Sequence, residues 1–219
     1  MDNDRIARFS LAERITHWVH TASFFTLLLT GLIVLSPKFG FLAPVFGGVQ
    51  AARVIHKIAG LFFAFGTILI FVIGDWAAFV VWLKEITSWG KEDAAFLKEF
   101  PKEFFGGHPQ LPEQGRFNSG EKVNSLLIIF AGAGLAVTGL MMWFADSIPL
   151  ALIRWAYPLH DLAAFTMTAV IIGHMYLGLV HPGSKEAING MLGGTVSRAF
   201  AKAHHARWYR EMCQKEDAK

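Results

Sequence analysis

One cysteine, Cys213, stands in a chain of 219 residues. That excludes a disulfide within the chain and any iron–sulfur cluster held by its own thiolates. Charge is scarce as well: 17% of residues are Asp, Glu, Lys or Arg, against about 25% in an ordinary soluble domain. The 20 Lys and Arg exceed the 17 Asp and Glu by too little to mark a nucleic-acid surface. The N-terminal arm is charged and lacks an apolar core, and no small-residue cleavage site follows it. A cleavable signal peptide is therefore not expected, and insertion falls to the first apolar helix. Internal sequence repeats, low-complexity segments and Gly/Ser linkers are missing too.

What fills the chain is apolar. Hydrophobic residues make up 53%, with 20 Phe and 7 Trp, and mean hydropathy is +0.41. Crossing about 30 Å of hydrocarbon takes roughly 20 helical residues. Four stretches are long enough, over about 16–36, 53–83, 122–144 and 151–180. The first stops at Ser36-Pro37, since proline cannot continue a helix. The second exceeds the span, so it is expected to tilt or project, with Asp75 near a water interface. The third is rich in small residues, which let helices approach closely. Pro149 precedes the fourth and Pro182-Gly183 end it.

Positive charge sets the orientation. The N-terminal arm, the 84–121 loop with adjacent Lys122, and the 184–219 tail carry sixteen of the 20 Lys and Arg. Only Lys38, Arg53, Lys57 and Arg154 fall on the other side. The positive-inside rule puts both termini and the long loop in the cytoplasm. The expected fold is all-α, an integral membrane four-helix bundle forming a single domain over 1–219. The 84–121 loop, with Pro101, Pro109 and Pro112, is too short and polar for a separate catalytic domain. The tail is expected to form an amphipathic helix that anchors Phe200 and Trp208 at the interface.

Histidine carries the chemistry. Of nine histidines, His17, His56, His160 and His174 lie in or at the edges of the spans, where an ionisable residue usually faces the protein interior and marks a function. His160 and His174 share the fourth stretch, fourteen residues apart. At about 1.5 Å per residue they are roughly 21 Å apart, within about 40° of one helix face. Depth then matches His160 with His56 near the outer surface, and His174 with His17 near the inner one. Two imidazoles on opposite sides of a planar macrocycle make a six-coordinate haem iron, suited to passing single electrons. Cys-x-x-Cys-His is absent, so two haems b between helices, not covalently attached, are expected. A zinc site would need its ligands clustered, and these four sit in two separated groups. A single membrane histidine is more often an interhelical hydrogen-bond donor. His20 reads as an alternative ligand or a propionate partner, His108 and His181 as interfacial, His204 and His205 as solvated.

The chain resembles the cytochrome b (gamma) subunit of membrane-bound respiratory formate dehydrogenase over nearly its whole length. The resemblance rests on Glu13-Arg14-Ile15-Thr16-His17-Trp18, on Arg53-Val54-Ile55-His56 and on Gly115-Arg116-Phe117-Asn118-Ser119-Gly120-Glu121-Lys122. It continues through His174-Met175-Tyr176 and through His204-His205-Ala206-Arg207-Trp208-Tyr209-Arg210-Glu211. It implies the same two haem pairs, and a quinone site (menaquinone or ubiquinone) at the cytoplasmic side involving Asn118, Gly120, Glu121 and His174. The family often has Gln at the position of Glu121 and Pro at that of Ala206. From the residues alone, Asn118 is equally a helix cap and Gly120 a tight turn. The implied partners are an iron–sulfur (beta) subunit, a molybdenum- or tungsten-containing catalytic (alpha) subunit that oxidises formate outside the membrane, and lipid. A higher oligomer of that heterotrimer is left open, and nucleic acid is not a partner. The implied location is the bacterial inner membrane. Two other readings stay open: a hydrogenase or stand-alone b561-type cytochrome b, and a haem-free membrane anchor or transporter.

Overall fold

A computed structural model describes residues 4–107 and 109–218. Its backbone is almost entirely helical. Helix α1 runs over Leu11–Leu35, α2 over Val49–Gly74, α5 over Ser119–Trp143 and α6 over Leu150–Val180. Each of these four is long and apolar enough to cross a membrane. Between them lie α3 (Trp76–Thr87) and α4 (Lys91–Phe104). The tail holds α7 (Ile188–Gly193), α8 (Arg198–His204) and α9 (Ala206–Asp217). Strands β1 (Arg5–Ala7) and β2 (Thr195–Ser197) are the exception to the helical rule.

Local chemistry explains where these helices start and stop. α1 begins before its apolar stretch because Ser10 and Glu13 form a capping box. The Ser10 N–H donates to Glu13 Oε2 at 2.8 Å, and the Glu13 N–H donates to Ser10 Oγ at 3.3 Å. Ser36 caps the following 3-10 helix, Pro37–Phe46. Gly47 and Gly48 then turn the chain into α2 at φ of 81° and 103°, backbone that costs a β-carbon dearly. Asn118 starts α5: its Oδ1 accepts from the Glu121 N–H, and Glu121 Oε2 accepts from the Asn118 N–H, both at 2.9 Å.

Two expectations are corrected. The apolar stretch over 53–83 is not one helix: α2 ends at Gly74, and Asp75 restarts the chain as α3, its Oδ1 accepting from the Ala78 N–H at 2.9 Å. A short carboxylate competes with helical bonding in mid-run and favours a cap. The tail is not one amphipathic anchor helix. It folds back as a short helix, a strand and two further helices, and Phe200 and Trp208 are buried.

The chain divides into two compact units. One contains 15–74 and 128–169. Ile33, Ala43 and Ala52 form a small core there, and Phe63, Met167 and Thr30 are buried. The other contains the N-terminal arm to Arg14, 75–127 and 170–219. In it β1 pairs antiparallel with β2, setting Ile6 opposite Val196. That ribbon closes a core of Ile6, Val196, Phe200, Ala201 and Trp208. The arm and the tail, far apart in sequence, thus bury each other's apolar residues.

Candidate functional site

His56 on α2 and His160 on α6 meet within the first unit. Their ring centroids are 6.3 Å apart, with the planes 59° from parallel. A metal–imidazole bond is about 2.0 Å, and the ring centre lies about 1.1 Å behind the nitrogen, so two axial rings across one metal sit about 6.2 Å apart. The observed spacing matches that separation, which is also within the range of an ordinary contact between two rings. Among the described residues no group of three or more His, Cys, Asp or Glu gathers around a single point. Two axial nitrogens with no further protein donors fit a macrocycle that brings its own four.

Each ring is aimed by the helix that precedes its own. Thr30 Oγ1 lies 2.9 Å from His56 Nδ1, and Thr138 Oγ1 lies 2.9 Å from His160 Nδ1. Both hydroxyl protons are already committed: Thr30 donates to the Thr26 carbonyl and Thr138 to the Gly134 carbonyl, each at 2.6 Å. The hydroxyl oxygens are left to accept. The carbonyls of Leu27 and Leu135, which only accept, also bond to His56 and His160 respectively. Nδ1 is thus the protonated nitrogen of both rings, and Nε2 carries the free lone pair that a metal needs.

The other two expected ligands belong to different units. His17 lies on α1 in the first unit, edge-on to Trp18 at 5.0 Å. His174 lies on α6 in the second unit. The backbone between His160 and His174 is uninterrupted α-helix, the premise on which their common face was argued. His20 packs on Phe63 with ring centroids 4.3 Å apart, and its buried Nε2 has no hydrogen-bond partner.

Of the residues expected at a quinone site, Asn118, Gly120 and Glu121 fall in the second unit at the start of α5, and His174 falls in the same unit on α6. Glu121 is tied down: Arg8, whose side chain is fully buried, donates to both carboxylate oxygens at 2.9 and 3.1 Å. Asn118 is the reciprocal cap already described. Glu121 is also within electrostatic reach of His174. A β-carbon on Gly120 would lie 3.2 Å from Asn118 Oδ1 and 3.5 Å from the Phe100 ring, so glycine here keeps the backbone against an aromatic. That aromatic belongs to a row the sequence reading missed. Phe96, Phe100 and Phe104 follow one another along α4, and Phe104 meets Tyr176, at centroid spacings of 5.6, 6.0 and 5.1 Å. Their four-residue spacing was the available signal.

Around this end, charges are paired. Arg116 donates to both Glu13 oxygens at 2.9 and 2.8 Å, and Lys122 donates to Asp93 at 2.8 Å. A cavity of about 400 Å³ is lined by Arg8, Ser10, Glu13, Asp75 and Arg116 among others. His205, expected to be solvated, is 1% exposed. Its Nδ1 donates to the Gly115 carbonyl at 2.9 Å. Burial, with Arg8 nearby, pushes its imidazole down to about 3. The tail's return onto the Gly115 loop covers it, a long-range contact invisible in local sequence. His181 Nε2 donates to the Glu103 carbonyl at 2.8 Å, and its Nδ1 is bonded to Ser184 Oγ at 3.1 Å. His108 lies outside the described residues.

The family model described as prokaryotic cytochrome b561 matches residues 8–194. The formate dehydrogenase cytochrome b556(fdo) subunit of Escherichia coli K12 is 32% identical over 212 residues, 95% of this chain and 94% of that protein. The formate dehydrogenase cytochrome b556 subunit of Haemophilus influenzae is 32% identical, covering 96% of this chain and 85% of its own length. The nitrate-inducible cytochrome b556(Fdn) subunit of Escherichia coli K12 is 31% identical, over 98% and 94%.

Proposed function

Since the chain belongs to the prokaryotic cytochrome b561 family, we propose that it is the membrane electron-transfer subunit of a respiratory formate dehydrogenase. It is an integral membrane b-type cytochrome, and its place is the bacterial inner membrane with both termini cytoplasmic. It works as one domain that accepts electrons outside the membrane from an iron–sulfur subunit and delivers them to quinone at the cytoplasmic side. Formate itself is oxidised by a molybdenum- or tungsten-containing partner, since this chain has no thiolate set for a cluster and no catalytic site of its own. The observation that carries this reading is the extent of the match. The family model stops at residue 194, whereas the relatives named as formate dehydrogenase subunits match 95% or more of the chain, the tail included.

When bound, two haems b supply reversible one-electron carriage at two depths. His56 and His160 hold the outer one, and the 6.3 Å ring spacing and protonated Nδ1 atoms support that assignment. His17 and His174 hold the inner one, on the argument from helix face and depth. Asn118, Gly120, Glu121 and His174 form the quinone site, bounded by the Phe100 ring. Arg8 holds Glu121 as a carboxylate. Glu121 therefore orders the loop and the start of α5. Moving charge across the bilayer stores roughly 2.3 kcal/mol per electron per 100 mV.

Purification of the native complex tests this. The expected result is co-purification of an iron–sulfur chain and a molybdenum or tungsten chain, with formate reducing the b-type chromophore. A chain that purifies alone, or that hydrogen reduces while formate does not, contradicts it.

A further inference from the structure

The two halves of the outer site are built alike, atom for atom. On α1, Thr30 donates to the carbonyls four and three residues back, Thr26 at 2.6 Å and Leu27 at 3.3 Å, and accepts from His56 Nδ1 at 2.9 Å. On α5, Thr138 donates to Gly134 at 2.6 Å and Leu135 at 3.3 Å, and accepts from His160 Nδ1 at 2.9 Å. The next residue is glycine in both places. A β-carbon on Gly31 would lie 3.3 Å from His56 Cε1, and one on Gly139 would lie 3.4 Å from His160 Cε1. The first is tighter than ordinary van der Waals contact, and the second lies at its lower limit. Thr30 and Thr138 are 0% and 7% exposed, so neither hydroxyl is there for solvent. A buried hydroxyl is costly unless bonded, and each is bonded three ways around one imidazole.

We infer that Thr30-Gly31 and Thr138-Gly139 are matched positioning pairs that fix the tautomer and the plane of the two axial imidazoles, making the ligands equivalent and keeping their planes crossed. The inference rests on His56 and His160 holding the outer haem, as proposed above. The threonine oxygen sets Nδ1 as the protonated nitrogen. The glycine lets the Nδ1–Cε1 edge of the ring lie against the neighbouring backbone, so the ring cannot swing. Sequence repeat analysis misses this device because it is two residues long. Its histidines also follow at unequal distances, 26 residues after Thr30 and 22 after Thr138.

Two physical consequences follow. An acceptor on Nδ1–H makes the imidazole a stronger donor and favours the ferric over the ferrous iron. Removing one of the two acceptors on a ring moves that balance toward ferrous. Imidazole planes 59° apart would also leave the two metal dπ orbitals, which π-bond to the axial rings, closer in energy than parallel planes do. The ferric EPR signal is then highly anisotropic, with a maximal g value above that of cytochromes whose rings are parallel.

The test uses the purified complex, with spectra, potentiometric titration and EPR. Thr30→Val and Thr138→Val keep side-chain shape and remove the hydroxyl. Each is expected to retain the outer haem and to shift its ferric/ferrous ratio about threefold toward ferrous, roughly 28 mV at 59 mV per tenfold. The two shifts are expected to be equal, and Thr→Ser at either position restores the original value. Gly31→Ala and Gly139→Ala are expected to lower the maximal g value by turning a ring without removing a hydrogen bond. Should the valine variants lose haem, the unmodified complex still decides, because a parallel-ring EPR signal from its outer haem overturns the inference. So do valine variants that keep their haem with potential and EPR unchanged, or a shift at one threonine only. An unmodified complex without any b-type absorption would instead overturn the haem reading beneath it.

Discussion

A histidine serves an iron only when the correct nitrogen faces it, and at His56 and His160 the choice is made by groups outside the ring. Each Nδ1 meets a threonine oxygen whose own proton is spent on a backbone carbonyl. That leaves Nε2 for the metal and makes the site sensitive to single substitutions. His160→Ala is expected to deplete the outer haem and leave quinol able to reduce the inner one, read as loss of about half the b-type absorbance in the reduced-minus-oxidised spectrum. His174→Ala is expected to abolish reduction by quinol while formate still reduces the outer haem. Equal loss of both haems in both variants would contradict the pairing. Residue-scale chemistry also gives a pH dependence. His205 is held down to about 3 by burial and then by Arg8, whereas an exposed histidine titrates near about 6.5. Between those values the unfolded tail binds a proton that the folded tail refuses. Tail stability is therefore expected to fall as pH drops from about 6.5 toward 3, and to fall less in His205→Asn, whose amide can still donate to Gly115. Hydrogen-exchange protection of α8 and α9 across that range is the measurement.

At the scale of elements, the arm and the tail stand or fall together. Ile6 on β1 and Val196, Phe200 and Trp208 from the tail share one core. Trp208→Ala is expected to cost about 3–5 kcal/mol by cavity formation and to expose both β1 and α9 to protease, although the two are distant in sequence. The link between α4 and α5 is polar instead. Lys122 and Asp93 are 3% and 7% exposed and bonded at 2.8 Å, and Ser119 Oγ donates to the same Asp93 oxygen at 2.7 Å. Lys122→Met would leave that carboxylate buried without its partner, at a cost of about 3 kcal/mol, read as earlier thermal loss of α4 structure. The four long helices were legible in the sequence because each is an apolar run of sufficient length. Their ends were less so: Ser10 and Asp75 cap helices through side-chain bonds that hydropathy does not register, whereas the Asn118 cap was one of the readings open in the sequence. The fold of the tail was not legible at all, because strand β2 depends on a partner 190 residues away and the burial of His205 on one 90 residues away.

For the molecule as a whole, family membership and the all-α membrane fold rest on length, hydropathy and matches along nearly the entire chain. While the pairing of His17 with His174 stands as proposed, the approach of His56 and His160 was legible from helix geometry. Their supporting threonines were not, because Thr30 and Thr138 look like ordinary small polar residues of membrane helices until the facing imidazoles are seen. The quinone end is proposed only through resemblance, and around its residues the structure adds the Arg8–Glu121 pair and the Phe100 ring beside Gly120. The central claim is that this one chain carries two haems b at separate depths. Haem per polypeptide, determined on the purified complex together with its reduced-minus-oxidised spectrum, tests it most directly. The account predicts two non-covalent haems b per chain, with a b-type α-band near roughly 560 nm, and their division into two potentials on titration. One haem per chain, or none, would contradict it.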